Sequence, residues 1–217
     1  MSLIAFYDTE TSGLPDFKVP SEAPHQPHIV DIAVILYDEE VDEVVDTFEA
    51  MVKPDGWEVG AEAAAINGIT TAIALEQGTS TEQQALWDAL SLMDAADVRC
   101  GHNESFDQRI MRIALMRYGF GDGVDWNALT SDQKRAEADK FKARNAICTM
   151  RLATPIMALP PTLAMIKSGK GKWKKNPNLQ EAHQHFVGEG FEGAHRAMTD
   201  AEACMRIYRA MKRDGHV

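Results

Sequence analysis

The chain has 217 residues, 45% of them hydrophobic and 25% charged, a composition that excludes a disordered or fibrous protein. Its 22 Lys and Arg against 33 Asp and Glu give a net charge of -11. That balance argues against a protein that coats nucleic acid through a broad basic surface, but it leaves room for a local basic patch. Three widely spaced cysteines without a CxxC pair fit neither a disulfide framework nor a zinc ribbon.

The first apolar segment of the chain is interrupted by Asp8 and Glu10, and no basic region precedes it. The best apolar run, residues 29–37, contains Asp31 and is too short to span a bilayer. We therefore expect no signal peptide, no membrane segment and a cytoplasmic location. No shift in composition marks a domain boundary, so residues 1–217 are predicted to form a single domain.

The first quarter of the chain predicts an antiparallel meander. Runs rich in Ile, Val and aromatic residues predict buried strands at 3–7, 28–37 and 44–52. The Pro-rich segment 15–27 is a loop by composition, and the acidic segment 38–46 is a solvated hairpin turn. Residues 54–68 are predicted to be irregular.

The rest of the chain alternates helices with short strands. Capping residues and helical periodicity predict helices at 70–75, 79–96, 104–118, 131–142, 149–158, 179–186 and 196–212. Short apolar runs predict strands at 97–102 and 145–150. A meander followed by this alternation favours an α/β fold, a mixed sheet flanked by helices.

Asp8 and Glu10 follow the first strand and stand two residues apart, so their side chains point to the same face. Two carboxylates on one face repel each other unless a cation lies between them, and Mg²⁺ prefers such oxygen ligands. The alternative is a solvated exit from the strand into a turn. Further ligands elsewhere in the chain are needed to decide between the two.

Two later segments supply such residues. Asp107 lies in the first turn of a predicted helix that follows a strand, where open α/β sheets bind ligands. His195 precedes the last helix, and Asp200 lies within it beside small residues that allow close approach to the sheet. Taken singly, Asp107 is explained by the helix dipole, and His195 by a cap or a surface position.

Taken together, these residues fall in three ordered motifs. The motifs are DTETSGL at 8–14, GHNESFD at 101–107 and AHRAMTDAEA at 194–203. They resemble the three exonuclease motifs of the DEDD superfamily, and the histidine in the third is typical of the DEDDh subclass, the DnaQ-like 3′–5′ exonucleases. INGIT at 66–70 resembles the HGIT segment of that family, with Asn67 in place of the histidine, which puts a peripheral substrate contact in doubt. The resemblance extends from Leu3 to about Met211.

The resemblance implies an RNase H-like fold, a mixed five-stranded sheet with helices on both faces. It also implies a two-metal mechanism with two Mg²⁺ or Mn²⁺ ions. By analogy, Asp8 bridges both ions, Glu10 and Asp200 complete the nucleophile-side site, and Asp107 serves the leaving-group side. His195, whose ordinary pKa is about 6.5, is suited to take a proton from the attacking water.

The resemblance further implies substrate contacts. The backbone around Thr11 and the side chain of Leu14 meet the terminal nucleotide, and Asn103 and Phe106 approach the adjacent backbone and line the pocket. For Phe106 the alternative is plain core packing. Separately, Lys172 and Trp173 lie in the basic, glycine-containing stretch 167–175, which is suited to hold a single strand by charge and stacking. A flexible solvated loop is the alternative for that stretch.

Three functions are compatible with these motifs. The first is a 3′–5′ exonuclease that acts on the 3′ ends of DNA, single-stranded or frayed, and releases nucleoside 5′-monophosphates, either alone or with a DNA polymerase or another replication partner. The second is a 3′–5′ exoribonuclease of the same fold. The third is a non-catalytic nucleic-acid-binding protein, which predicts the loss of a carboxylate or of the histidine, and none is lost. DNA is the first hypothesis for the substrate.

Overall fold

The computed structural model describes residues 2–217. Its five-stranded sheet has the order β3-β2-β1-β4-β5. The strands are β1 (Leu3–Thr11), β2 (Ile29–Asp38), β3 (Glu43–Met51), β4 (Val98–Gly101) and β5 (Ala146–Cys148). β1, β2 and β3 pair antiparallel, whereas β4 and β5 continue the sheet parallel to β1. The predicted meander and the mixed five-stranded sheet of an RNase H-like fold are therefore confirmed.

Helices cover both faces of this sheet. They are α1 (Ala61–Asn67), α2 (Thr71–Gln77), α3 (Glu82–Met93), α4 (Glu104–Tyr118), α5 (Ser131–Ala143), α6 (Thr149–Met157), α7 (Leu163–Lys167), α8 (Leu179–Phe186) and α9 (Ala197–Arg213), with a 3₁₀ turn at Trp126–Ala128. The bounds of α4 and α8 are the predicted ones. Across residues 2–217, no helix combines the length and the apolar character needed to cross a membrane.

Two of the boundaries that differ from the prediction have a clear physical reason. β1 continues through Thr11 instead of ending at Tyr7, because β2 pairs with it along its whole length. Asp8 and Glu10 therefore lie within a strand and not after it. The third helix begins after Thr81, whose side chain accepts the backbone N–H of Gln84. Thr79 and Ser80 instead lie beside the end of β3, where the N–H of Thr79 donates to Met51 and the carbonyl of Ser80 accepts from Lys53.

Two short helices were absent from the prediction. Residues 54–68, predicted to be irregular, contain α1, and the segment before the basic stretch contains the five-residue α7. Neither helix is long enough to produce a clear periodicity. α1 docks closely on the end of β1: the N–H of Gly60 donates to the carbonyl of Ser12 at 2.8 Å, and a Cβ at position 60 would lie only 3.0 Å from that oxygen.

The alternation of β1 sends its side chains to two different cores. Ala5 and Tyr7 join the core beneath α3 and α4, whereas Ile4 and Phe6 join the core beneath α9. Because side chains alternate along a strand, Asp8 and Glu10 continue the row of Ile4 and Phe6 toward α9. The third motif begins α9, so the sheet brings the first and third motifs together.

Candidate active site

The candidate site lies where β1, α4 and α9 meet. β1 and β4 run parallel, so their carboxyl ends share one edge of the sheet. α4 begins directly after β4 and carries Asp107 in its first turn. α9 packs against β1 and carries Asp200 in its own first turn. Two carboxylates of β1 and one from each helix therefore converge at this edge.

Asp107 is held against β1 by Thr9. One oxygen of the Asp107 carboxylate accepts the backbone N–H of Thr9 at 3.0 Å and the Thr9 hydroxyl at 2.8 Å. Both residues are buried. Thr9 points to the opposite face from Asp8 and Glu10, so these bonds fix the start of α4 relative to the two acids of the strand.

The third motif folds back onto Glu10. The carboxylate oxygens of Glu10 and Asp200 and a ring nitrogen of His195 all lie within 4.8 Å of one another. Asp200 accepts the backbone N–H of His195 at 3.2 Å, and this contact accompanies a left-handed backbone at His195, with φ of 67°. The second oxygen of Asp200 is buried without a hydrogen-bond partner among residues 2–217. That orphaned oxygen requires a ligand.

The raised pKa values of the four acids also indicate that the site binds cations. Burial, followed by the charges of Asp107, Asp200 and Glu10, raises the pKa of Asp8 well above its usual value. Burial, followed by the neighbouring acids, raises the pKa of Glu10 to about 8. Burial also raises the pKa of Asp200, and that of Asp107 to about 7 against the opposing effect of the Thr9 bonds. Bound cations would favour the ionised form of these four carboxylates at neutral pH.

The residues present therefore fit a divalent-metal centre. Asp8, Glu10, Asp107 and Asp200 offer the oxygen ligands that hard cations prefer, and the unpartnered oxygen of Asp200 is available to one of them. His195 lies beside Glu10 and Asp200 but remains exposed to solvent.

The burial of these acids, together with the charges of their neighbours, predicts that the metal-free protein loses stability as the pH rises. The folded-state pKa values of Glu10 (about 8) and Asp107 (about 7) lie above their unfolded values, so the stabilisation belongs to the protonated acids and is lost as the pH rises from about 5 to 8. Each group contributes up to about 1.4 kcal/mol per pH unit. Urea unfolding in EDTA at pH 6 and pH 8 measures the effect.

Two controls accompany that measurement. Glu10→Gln is expected to reduce the pH dependence, because the amide does not titrate. Mn²⁺ is expected to stabilise the protein more at pH 8 than at pH 6, since the ligands must be deprotonated. An equal free energy of unfolding at both pH values in EDTA would contradict the raised folded-state pKa values of these acids.

An open cleft of about 460 Å³ adjoins the acids. Glu10, Thr11, Leu14 and Phe106 line it, together with one face of α1. The side chain of Leu14 is 82% exposed and stands at the rim. Phe106 is half-buried, so it serves both the core, as the alternative reading held, and the cleft.

The other predicted substrate contacts lie outside this cleft. Asn103 precedes α4 in a left-handed conformation with φ of 68°, is exposed, and its side chain does not cap the helix. Lys172 and Trp173 are exposed in the segment after α7 and do not line the cleft. Their roles in substrate binding remain predictions.

Asn67 stands where the HGIT segment of the family has its histidine. It is buried in the wall of the cleft, where its side-chain amide donates to the carbonyl of Thr11 at 3.3 Å and its oxygen accepts the N–H of Ile69 at 2.9 Å. It also lies within hydrogen-bonding reach of Glu10, which opposes the rise in the pKa of that acid. Asn67 thus joins α1 to β1 beside the candidate metal ligands.

Asp31 is a site residue that sequence reasoning missed. It lies opposite Glu10 in the β1–β2 register, is fully buried, and accepts Nε of Arg196 at 2.8 Å and the backbone N–H of Ala197 at 3.3 Å. These bonds anchor the chain directly after His195. The signal was present in the sequence, because an acid in the middle of an apolar strand requires a partner.

We expect Arg196→Ala to lower the free energy of unfolding by about 2–3 kcal/mol, because it leaves the buried Asp31 carboxylate without its charge partner. This loss is smaller than that expected for a fully buried ion pair, because the Arg196 side chain is itself partly exposed to solvent. Arg206→Ala, within the helix that Arg196 precedes, is the matched control, since it breaks an exposed pair with Glu189 and is expected to cost less than about 1 kcal/mol. Equal losses in urea unfolding would contradict the anchoring role of Arg196.

A mixed five-stranded sheet that gathers these four acids and a histidine from three ordered motifs defines a class of enzyme, the DEDDh-type 3′–5′ exonucleases. Comparison with known proteins agrees. The family described as RNase_T: Exonuclease matches residues 5–208, and the chain belongs to that family. Residues 5–208 therefore form an exonuclease domain of this family. No curated protein sequence matches the chain.

Solved structures share the fold at low sequence identity. The zinc-bound complex of E. coli exonuclease I with single-stranded DNA has a TM-score of 0.68 and 20% identity, covering 99% of this chain and 41% of that one. The nuclease domain of 3′hExo, a DEDDh family member bound to rAMP, has a TM-score of 0.63 and 16% identity, covering 99% and 93%. Exonuclease I from Methylocaldum szegediense has a TM-score of 0.63 and 20% identity, covering 99% and 41%. The chain thus spans about two fifths of the exonuclease I chains.

Proposed function

We propose that this exonuclease removes nucleotides from the 3′ ends of DNA, single-stranded or frayed, and releases nucleoside 5′-monophosphates. The observation that carries the proposal is the convergence of Glu10, Asp200 and His195 within 4.8 Å, beside an open cleft. A cleft with one exposed apolar rim suits the end of a strand whose last base is unpaired.

Asp8, Glu10, Asp107 and Asp200 hold two Mg²⁺ or Mn²⁺ ions in this proposal. When bound, such ions activate water as a nucleophile and stabilise the charge that develops on the phosphate. Keeping these four acids together destabilises the metal-free protein, because they are buried and repel one another. Thr9, through its two bonds to Asp107, and Asn67, beside Glu10, keep the carboxylates oriented.

His195 takes the proton from the attacking water. Its ring is exposed to solvent and lies next to the oxygens of Glu10 and Asp200, while its backbone N–H is held by Asp200. The left-handed backbone turns this residue away from the helical course of α9 and toward the acids. The water attacks phosphorus in line and expels the 3′-oxygen of the penultimate nucleotide.

The cleft receives the terminal nucleotide. Leu14 and Ile66 are exposed apolar side chains on its lining, and the half-buried Phe106 adds an aromatic ring to it. Such surfaces suit the flat face of a base, which every nucleotide offers. The backbone of Thr11 lies between this apolar lining and Glu10, where the sugar and phosphate of the last nucleotide are expected.

An exoribonuclease of the same fold is the second candidate. The observation that favours it is the similarity of fold to the 3′hExo nuclease domain bound to rAMP. The match covers 93% of that domain. The five predicted catalytic residues serve either polymer. A DNA polymerase or another replication partner is a further proposal, and it applies only if DNA is the substrate.

End-labelled oligonucleotides test these proposals directly. With 5′-labelled single-stranded DNA and Mg²⁺ or Mn²⁺, we expect a ladder that shortens from the 3′ end and 5′-mononucleotides as products. The same strand as RNA, and both polymers as blunt duplexes, measure sugar and strand preference in one series. Release of nucleotides from the 5′ end, or activity that persists in EDTA, would contradict the proposal. Faster digestion of RNA than of DNA would select the second candidate.

A further inference from the structure

The charges of this acidic protein are strongly segregated along the chain. Residues 140–180 contain nine of the 22 Lys and Arg and none of the 33 Asp and Glu. The segment runs from the last turn of α5 through β5, α6 and α7 to the residues before α8. One continuous segment of the chain is therefore purely basic, while the segments on either side of it carry all of the acids.

The sheet topology brings this basic segment to the edge that holds the active site. β5 runs parallel to β4 and β1, so the carboxyl ends of all three strands share that edge. Two strand spacings separate β5 from β1, roughly 10 Å. His102, at the end of β4, contacts the hydroxyl of Thr149 at 2.9 Å and the carbonyl of Pro177 at 3.1 Å. These bonds hold the residues directly after the basic stretch 167–175 against the ends of β4 and β5.

The basic stretch 167–175, called the basic loop from here on, has charges that are available to a ligand. Lys170, Lys172 and Lys174 are exposed, and none of them forms an ion pair within residues 2–217, whereas Lys175 is engaged by Glu181. Trp173 stands among them with 66% of its surface exposed. A large aromatic ring exposed between free lysines has no role in the core, but it matches a platform for a nucleobase flanked by phosphates.

A second group of cations follows the outer edge of β5. Lys142, Arg144 and Arg151 line a cleft of about 550 Å³ together with the buried ion pair of Arg99 and Glu104. Lys142 and Arg151 form no ion pair with any described residue, and Nη2 of Arg99 is buried without a partner there. α6 connects this cleft with the basic loop, because Thr154, one turn beyond Arg151, contacts Asn176 at 3.2 Å.

We propose that the basic loop and the β5 cleft form a single track that binds the sugar-phosphate backbone of the strand upstream of the 3′ end being cleaved. This inference rests on the proposed function. A single strand of nucleic acid fits better than an acidic peptide, because Trp173 adds a stacking surface to the row of charges and the track begins at the active-site edge. The track gives the enzyme a preference for strands longer than the few nucleotides that the cleft holds.

Binding in EDTA tests the track separately from catalysis. The probe is a fluorescein-labelled 15-nucleotide oligo(dT), titrated by anisotropy between 25 and 200 mM KCl, roughly the range over which counterion release is measured. The triple variant Lys170→Gln, Lys172→Gln, Lys174→Gln is expected to reduce the slope of log K against log salt by about 2, since each single-strand phosphate contact contributes roughly 0.7. The matched control, Lys53→Gln, Lys134→Gln, Lys212→Gln, removes the same charge elsewhere and is expected to keep the slope.

Trp173 supplies an independent readout. Trp173→Ala is expected to weaken binding roughly 5- to 150-fold, the range for loss of one base–aromatic stack, and Trp173→Phe to retain most of the affinity. An equal change of slope in both triple variants would show that the effect comes from net charge alone, and it would refute the proposed track. So would an unchanged slope in the loop variant, or an unchanged affinity in Trp173→Ala.

Cleavage assays separate this inference from the proposed function. The ratio of kcat/KM for a 15-nucleotide strand to that for a dinucleotide is expected to fall at least about tenfold in the loop variant, in keeping with the loss of two or three phosphate contacts. If the wild-type protein binds oligo(dT) through the loop but releases no nucleotide, the proposed function fails and the track stands. If it releases nucleotides but the length ratio is unaffected by the loop variant, the track fails alone.

Discussion

Asp8→Asn is expected to lower the rate of nucleotide release by about 10³-fold or more, because it removes the carboxylate that all the other acids of the site face. The charges of Asp107, Asp200 and Glu10 all act on Asp8. Replacing its charge by an amide takes a shared ligand from the metal centre, and about 4 kcal/mol of lost transition-state stabilisation corresponds to this factor. Single-turnover hydrolysis of a 5′-labelled oligonucleotide with Mg²⁺ or Mn²⁺ measures the loss.

The control for this variant is another buried acid at the far end of the same pair of strands. Asp38 lies opposite Leu3 in β2 and accepts the local N–H of Glu40, far from the active-site edge, so Asp38→Asn is expected to retain activity within about a factor of two. In EDTA at pH 8, Asp8→Asn is also expected to be more stable than the wild type, because it relieves repulsion among the acids. Activity of Asp8→Asn within tenfold of the wild type would refute the metal role of this residue.

His195→Ala is expected to lower turnover about 10²- to 10⁴-fold, the range for loss of a general base, while the affinity for Mn²⁺ is largely kept. The structure makes this test necessary, because the ring lies close enough to Glu10 and Asp200 to act as a ligand instead. The exposure of the ring favours the base, which must reach a water molecule. Calorimetric titration with Mn²⁺ and steady-state turnover, measured on the same preparation, separate the two roles.

Two further variants complete this experiment. His195→Asn removes the imidazole with a residue that tolerates the left-handed backbone found there, so it isolates the chemistry from backbone strain. His185→Ala removes an exposed histidine on α8, whose ring contacts the neighbouring Phe186 ring, and is expected to leave both quantities unchanged. Parallel losses of turnover and of Mn²⁺ affinity in both His195 variants would identify His195 as a ligand and refute its role as the base.

Local signals explain why some elements were predicted with correct bounds. α4 ends at Gly119, whose φ of 71° suits a residue without a side chain, and an apolar face repeats along the helix. α8 begins at Asn178, which forms a capping box with Glu181. In both cases the groups that begin or end the helix are close in sequence, so the pattern alone reveals them.

Non-local bonds explain the failures. Thr9 was read only as part of the first motif, yet it holds Asp107, 98 residues away. Asp31 was read as an interruption of an apolar run, yet it anchors Arg196, 165 residues away. The length of β1 depends on its pairing with β2, and α1 on its docking beside Ser12. None of these contacts leaves a periodic pattern in the chain.

The sequence by itself determined the family and singled out Asp8, Glu10, Asp107, His195 and Asp200, because metal and proton chemistry depends on residue type and on short spacings that a motif records. Only the tertiary structure decided which side chains share a face, which acid is left with an unpartnered oxygen, and where the basic segment lies relative to the cleft. The reason is physical: electrostatic repulsion, burial and hydrogen bonding depend on distances. The order β3-β2-β1-β4-β5 sets those distances between residues far apart in the chain.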